Sequence, residues 1–102
     1  MKENTQQEIQ KLIEAKENFI LYLYTPMCGT CQVAGKMVEV VEKVLPEQNW
    51  GKSDLNYLPK LALEWRIESV PCLLIFHKGE IKQKIYAFHS VPNLYEIIKN
   101  AG

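Results

Sequence analysis

Residues 19–31 read Phe19-Ile20-Leu21-Tyr22-Leu23-Tyr24-Thr25-Pro26-Met27-Cys28-Gly29-Thr30-Cys31. Six apolar or aromatic residues without alternation predict a strand over 19–24 that is buried on both faces. Two cysteines separated by two residues then stand directly before a helical pattern. A dithiol where a buried strand hands over to a helix is placed for redox chemistry. The helix start offers unpaired backbone N–H groups and the positive end of the helix dipole, and both favour the thiolate, the reactive form of cysteine.

Outward from this stretch the chain alternates. Val33, Met37, Val38, Val41, Val44 and Leu45 recur at helical spacing, and Pro46 ends that helix. On the N-terminal side, Thr5 and Glu8 form a capping-box pattern opening a helix with Ile9, Leu12, Ile13 and Lys16. Further on, a short polar strand is predicted over 49–53 and a short helix around Leu58, Leu61, Ala62 and Trp65. Pro71 opens a second apolar strand, Cys72 to Phe76, and His77-Lys78-Gly79-Glu80 supplies a tight turn into a hairpin partner over 81–88. Ser90 caps a last helix holding Leu94, Ile97 and Ile98, closed by Lys99 and Gly102. This order predicts an α/β fold, a mostly parallel sheet covered on both faces, with the final hairpin adding an antiparallel pair. The sequence has no linker, repeat or low-complexity stretch, so residues 1–102 are expected to form one domain.

Charge and composition narrow the function classes. Twelve basic and twelve acidic residues give zero formal charge, so nothing draws the chain toward nucleic acid or an anionic membrane over long range. Residues 1–11 are mostly polar and lack an apolar signal core. The apolar run at 19–24 is too short to span a bilayer. The expected compartment is the cytoplasm, where thiols are kept reduced and a CxxC pair is catalytic or metal-binding rather than structural. Three cysteines make an odd count, against a disulfide scaffold.

The element order, Cys28-Gly29-Thr30-Cys31 at a strand-to-helix junction, Val70-Pro71 opening a later strand and Lys78-Gly79-Glu80 at a hairpin turn together resemble the thioredoxin family. The likeness covers nearly the whole chain. It implies the thioredoxin fold, a central mixed sheet of four or five strands with helices on both faces. It also implies that Val70-Pro71 is the cis-proline loop facing the disulfide. Several positions depart from the family pattern. Met27 stands for the tryptophan before the first cysteine, Thr30 for the proline inside the motif, and Tyr22 for the buried aspartate. Tyr24 replaces a second tryptophan and Ala87 a glycine, while Lys52 matches the lysine that accompanies the aspartate.

Residue by residue, Cys28 is the expected nucleophile and Cys31 the resolving thiol. Residues three apart on a helix share a face with Cβ atoms about 5–6 Å apart, close to the spacing of about 3.8 Å that a disulfide needs. Cys31 can therefore attack a mixed disulfide on Cys28 and release the reduced product. Gly29 permits a tight turn and a partner's close approach. The Thr30 N–H and hydroxyl, absent from proline, can both donate toward a Cys28 thiolate, which predicts a weaker reductant than thioredoxin at about −270 mV. Tyrosine is a poor base, with an ordinary pKa of about 10, so Tyr22 predicts slow resolution by Cys31 unless Lys52 or water takes the proton. Met27, with Tyr24 and Pro26, edges the site, and Val70 offers its backbone to an extended substrate segment. The plainer readings are a structural disulfide, a core aromatic at Tyr22, a surface lysine at Lys52 and a trans Pro71.

Cys72 follows Pro71 directly and is expected close to the dithiol, either as an inert buried thiol or as a third thiol that traps Cys28. Three thiolates need a fourth ligand to hold zinc or a cluster. His77 lies about 16 Å along the strand at about 3.3 Å per residue and serves poorly, and His89 has no fixed place. No metal is expected. The leading function is thus a thiol–disulfide oxidoreductase reducing protein disulfides, with no cofactor beyond its own dithiol, recharged as the resemblance implies by a flavin-dependent thioredoxin reductase. The alternatives are a binding module carrying a metal or acting as an adaptor, and an oxidant sensor pairing Cys72 with Cys28.

Overall fold

The computed structural model describes residues 1–101. In chain order the elements are β1 (Lys2–Glu3), α1 (Gln6–Glu14), β2 (Phe19–Tyr24), α2 (Gly29–Val44), β3 (Trp50–Asp54), a 3-10 turn (Leu55–Tyr57), α3 (Pro59–Glu64), β4 (Cys72–His77), β5 (Glu80–Ile85) and α4 (Val91–Ala101). The strands form one five-stranded mixed sheet in the order β1-β3-β2-β4-β5.

β2 occupies the centre because every one of its side chains has a core to enter. Ile20 and Tyr22 face α2 and α4, joining Val38, Val41, Leu94 and Ile98. Phe19, Leu21 and Leu23 face α1 and α3, joining Ile9, Leu58 and Leu61. The unbroken apolar run therefore records a strand covered on both sides. Each fully buried aliphatic side chain contributes about 1.5–3 kcal/mol. Phe19 stacks on Phe76 of β4 with ring centroids 4.1 Å apart.

Several local expectations are met by specific contacts. The Thr5 hydroxyl accepts from the Glu8 N–H at 3.2 Å while the Glu8 carboxylate accepts from the Thr5 N–H at 2.9 Å, closing the capping box. Ser90 Oγ accepts from the Asn93 N–H at the start of α4. The hairpin turn places Lys78 and Gly79 at φ 51° and 80°, the left-handed pair that matches strand twist. A Cβ on Gly79 would collide with the Ile13 carbonyl, so glycine is required there.

Other expectations are corrected. The sheet is evenly mixed, not mostly parallel: β1–β3 and β2–β3 are parallel, β2–β4 and β4–β5 antiparallel. The link from β3 to β4 explains this. It leaves at Asp54 and re-enters at Cys72, opposite Leu23, at the same end of the sheet. Its six-residue α3, about 9 Å long, is too short to carry the chain back along a strand of about 17–20 Å. β1 has no counterpart among the elements predicted from sequence, being two exposed polar residues that become a strand by pairing with β3. Val33 and Val44 sit at helical spacing yet are exposed, because the buried face of α2 runs through Cys31, Ala34, Val38 and Val41. Lys16 lies past the end of α1, in a left-handed conformation with φ 54°. β3 runs one residue later than predicted, and β5 stops at Ile85, well before Phe88. Gly102, expected to close the last helix, lies outside the described residues.

Candidate functional site

The cysteine pair sits where β2 delivers the chain to α2. Cys28 is the N-cap of α2, in extended conformation, and Cys31 lies in the first turn. The two are within disulfide bonding distance, with Cα atoms 5.2 Å apart. Cys28 is half-buried and Cys31 buried. The Cys31 N–H donates to Cys28 Sγ at 3.1 Å, and Thr30 Oγ1 lies 3.3 Å from the same sulfur. No acidic side chain occupies the first turn of α2. The unpaired N–H groups there have no carboxylate competing with sulfur for them.

Tyr22 lies beneath the second cysteine. Its side chain is buried, and its hydroxyl donates to the Cys31 carbonyl at 2.5 Å. Gly35, one helical turn beyond Cys31, lies against the ring: a Cβ there would sit in contact with it, 3.4 Å from Tyr22 Cε2. Phe88 packs edge-on at 6.1 Å and Tyr24 stacks at 6.2 Å. Burial pushes the Tyr22 phenol up to about 12. It is a hydrogen-bond donor at neutral pH and takes up no proton.

Lys52 pairs with Tyr22 in the β2–β3 register. Its ammonium lies 5.8 Å from the centre of the Tyr24 ring. The Tyr24 hydroxyl donates to the Glu3 carboxylate at 2.8 Å. Burial, then the Glu3 hydrogen bond and charge, push the Tyr24 phenol up. Tyr22, Cys31, Lys36, Glu39 and Lys52 line a pocket of about 390 Å³ on this side of the helix.

On the other side, Thr30, Val33, Met37, Pro71, Tyr86 and Phe88 line an apolar groove of about 440 Å³. The Val70–Pro71 peptide bond is cis. Met27 is 96% exposed, a large apolar side chain in open solvent beside Cys28. Among the described residues, no backbone–backbone hydrogen bond outside the helices and strands reaches residues 68–71. A larger groove of about 600 Å³ lies between α1, α3 and the β4–β5 hairpin, over Ile13, Leu61, Trp65 and Phe76, and contains no cysteine.

Two sequence-based placements change. Gly29 has no left-handed φ, and a Cβ there would meet nothing within 4 Å, so the fold does not demand glycine. Cys72 follows Pro71 but points away from the α2 side of the sheet, into the core of α1 and α3 with Leu23 and Leu74. It is a fully buried free thiol, and burial pushes it up to about 11. Among the described residues no group of three or more His, Cys, Asp or Glu side chains could hold a metal ion. Val33, Met37, Tyr86 and Phe88 were not foreseen as site residues. Helical spacing places the first two in a core, which Met37 joins in part and Val33 does not, and the strand predicted over 81–88 takes in the last two.

A family model described as Thioredoxin matches residues 1–100. The chain is 46% identical over 99 residues to the thioredoxin-like protein YusE of Bacillus subtilis, covering 97% of this chain and 92% of that protein. It is 25% identical over 92 residues to a thioredoxin of Mycoplasmoides gallisepticum, covering 90% and 92%. Among solved structures, Fasciola hepatica thioredoxin superposes over 100% of both chains with TM-score 0.84 at 20% identity, a likeness of fold.

Proposed function

This chain belongs to the thioredoxin family and is a thiol–disulfide oxidoreductase, and on that premise we propose that it reduces protein disulfides, with Cys28 attacking and Cys31 resolving. The single observation that carries the roles is the placement of the two sulfurs. Cys28 is the half-buried N-cap whose sulfur already accepts the Cys31 N–H, while Cys31 is buried beneath it. The outer thiol meets the substrate and the inner one meets only Cys28. In the first step the Cys28 thiolate attacks one substrate sulfur and the other leaves as a thiolate, which takes a proton from water. In the second, deprotonated Cys31 attacks Cys28 Sγ, the second substrate sulfur leaves, and the chain holds the Cys28–Cys31 disulfide.

The supporting roles follow from the contacts. Thr30 Oγ1, 3.3 Å from Cys28 Sγ, donates to the thiolate and favours the reduced state. Tyr22 holds the Cys31 carbonyl and cannot accept the Cys31 proton, which leaves through the pocket that Lys52 shares. The free backbone of Val70 beside Pro71 pairs with an extended substrate segment, and Met27 and the groove at Val33 and Met37 supply apolar contact that adapts to varied partners. Gly29 leaves open space before the sulfur. On this reading the whole of 1–102 is one domain, the dithiol is the only redox centre needed, and a thioredoxin reductase restores it. The odd cysteine count and the buried free thiol support a reducing, cytoplasmic setting.

The test is the equilibrium redox potential of the Cys28–Cys31 pair in glutathione buffers, read by alkylation and mass shift. A value below about −250 mV supports a reductant. A value near that of disulfide isomerases, about −180 mV, reverses the direction of net electron flow.

A further inference from the structure

Cys72 and Tyr86 are not used by the exchange chemistry, yet both touch the loop that the substrate is read to meet. Segment 68–71 joins the end of the α3 region to β4, and it includes Val70 and Pro71. It is anchored by little of its own backbone. The Tyr86 hydroxyl accepts the Glu68 N–H at 3.2 Å, at the first residue of that segment. Tyr86 is also the first residue after β5. The antiparallel register pairs Ile85 with Leu73, so one step further sets Tyr86 opposite Cys72, the residue that ends the segment. Residues opposite one another in such a pair project on the same face. Tyr86 and Cys72 accordingly pack in the same core, with Val70 against it. The Tyr86 side chain eases the upward push of burial on the Cys72 thiol. Tyr86 and Pro71 also border the groove beside Thr30.

We propose that Tyr86 is a positioning residue for protein substrates: its hydroxyl fastens the Glu68 end of the Val70–Pro71 loop to the end of β5, opposite the Cys72 position where the loop enters β4, holding the Val70 backbone ready for an extended peptide. Cys72 then serves as a packing neighbour of Tyr86 and not as a third redox thiol. The consequence is selective. A peptide disulfide that must pair with Val70 depends on the clamp, and a small aromatic disulfide that needs only Cys28 does not. One hydrogen bond contributes about 0.5–1.5 kcal/mol, which converts to about a two- to twelve-fold change in an equilibrium constant.

The inference rests on reading Val70–Pro71 as the substrate-facing loop, so two variants are compared on the reduced full chain. Tyr86→Phe keeps the ring and its packing and removes the hydroxyl. Pro71→Ala alters the loop itself. For Tyr86→Phe, the expected result is a several-fold rise in KM for a disulfide-bonded peptide. Its kcat, its redox potential and its rate with a small aromatic disulfide stay unchanged, and the Glu68 amide exchanges several-fold faster. If Pro71→Ala raises the peptide KM and Tyr86→Phe does not, the clamp is overturned and the loop reading stands. If neither variant moves it, the loop reading falls and the clamp with it. A change in redox potential in Tyr86→Phe would also overturn the proposal, because the hydroxyl would then act on the dithiol and not on the loop.

Discussion

Cys31 and Cys72 are both hidden from solvent, at 4% and 0% exposure, and they have opposite chemistry. Cys31 is in the first turn of a sixteen-residue helix, in a disulfide with a half-exposed neighbour, and its carbonyl is held by Tyr22. Cys72 is the first residue of β4, flanked by Leu23 and Leu74, with burial raising its pKa to about 11. Burial alone does not decide the fate of a thiol. A helix N-terminus supplies donors that stabilise charge as it develops, whereas the α1–α3 core supplies apolar neighbours and one phenol. The difference also separates the two faces of the sheet: one carries redox chemistry at its edge, the other carries stability.

The largest effect expected on this comparison comes from exchanging the dithiol for hydroxyls. Cys28→Ser drops disulfide reduction to the uncatalysed background. Cys31→Ser leaves the first attack intact and accumulates a long-lived mixed disulfide on Cys28, seen as a mass increase equal to the substrate. A mixed disulfide on Cys72 instead would collapse the distinction between the two thiols.

A second, smaller effect is alkaline. In the oxidised protein Cys72 is the cysteine free to titrate, from an ordinary value of 9.0 to about 11 in the fold. The unfolded chain loses that proton first. The stability this group contributes is therefore complete below pH 9 and is lost as pH rises through about 11, on the order of 2 kcal/mol. Tyr22 repeats the loss between 10.0 and about 12. Urea midpoints measured from pH 8 to 11 should fall, and Cys72→Ala should flatten the decline between 9 and 11. An unchanged slope in that variant would mean that Cys72 is not the group being held neutral.

The smallest effect concerns the charged side of the comparison. Thr30→Val keeps shape and removes the hydroxyl 3.3 Å from Cys28 Sγ. Losing about 1 kcal/mol of hydrogen bonding to the thiolate should lower the redox potential by about 20 mV and raise the Cys28 pKa. Thiolate absorbance near 240 nm followed against pH measures the second quantity. A potential that rises or stays put would show that the backbone N–H groups alone hold the charge.

Legibility followed physical signal strength. β2 was readable to the residue because apolar composition with no alternation has few other meanings, and α1 because its capping box is local chemistry. β1 carried no signal: two polar residues become a strand only by borrowing the edge of β3. Val33 and Val44 show the limit of periodicity, since a helix with two apolar stripes does not say which one is buried. Phe88 and Tyr86 were out of reach for a related reason. They border the groove because the chain leaves the hairpin strand at Ile85.

From sequence alone came the dithiol, its position at a helix start, the strand buried on both faces and the family resemblance carried by Val70-Pro71 and Lys78-Gly79-Glu80. These depend on residue type and short-range spacing, which act within a few residues of the chain. The tertiary structure decided which way Cys72 faces, what the Tyr22 hydroxyl holds and where the Tyr86 phenol reaches. Each of those turns on strand register and on which side of the sheet a helix lies, quantities that are set by packing between segments far apart in the chain.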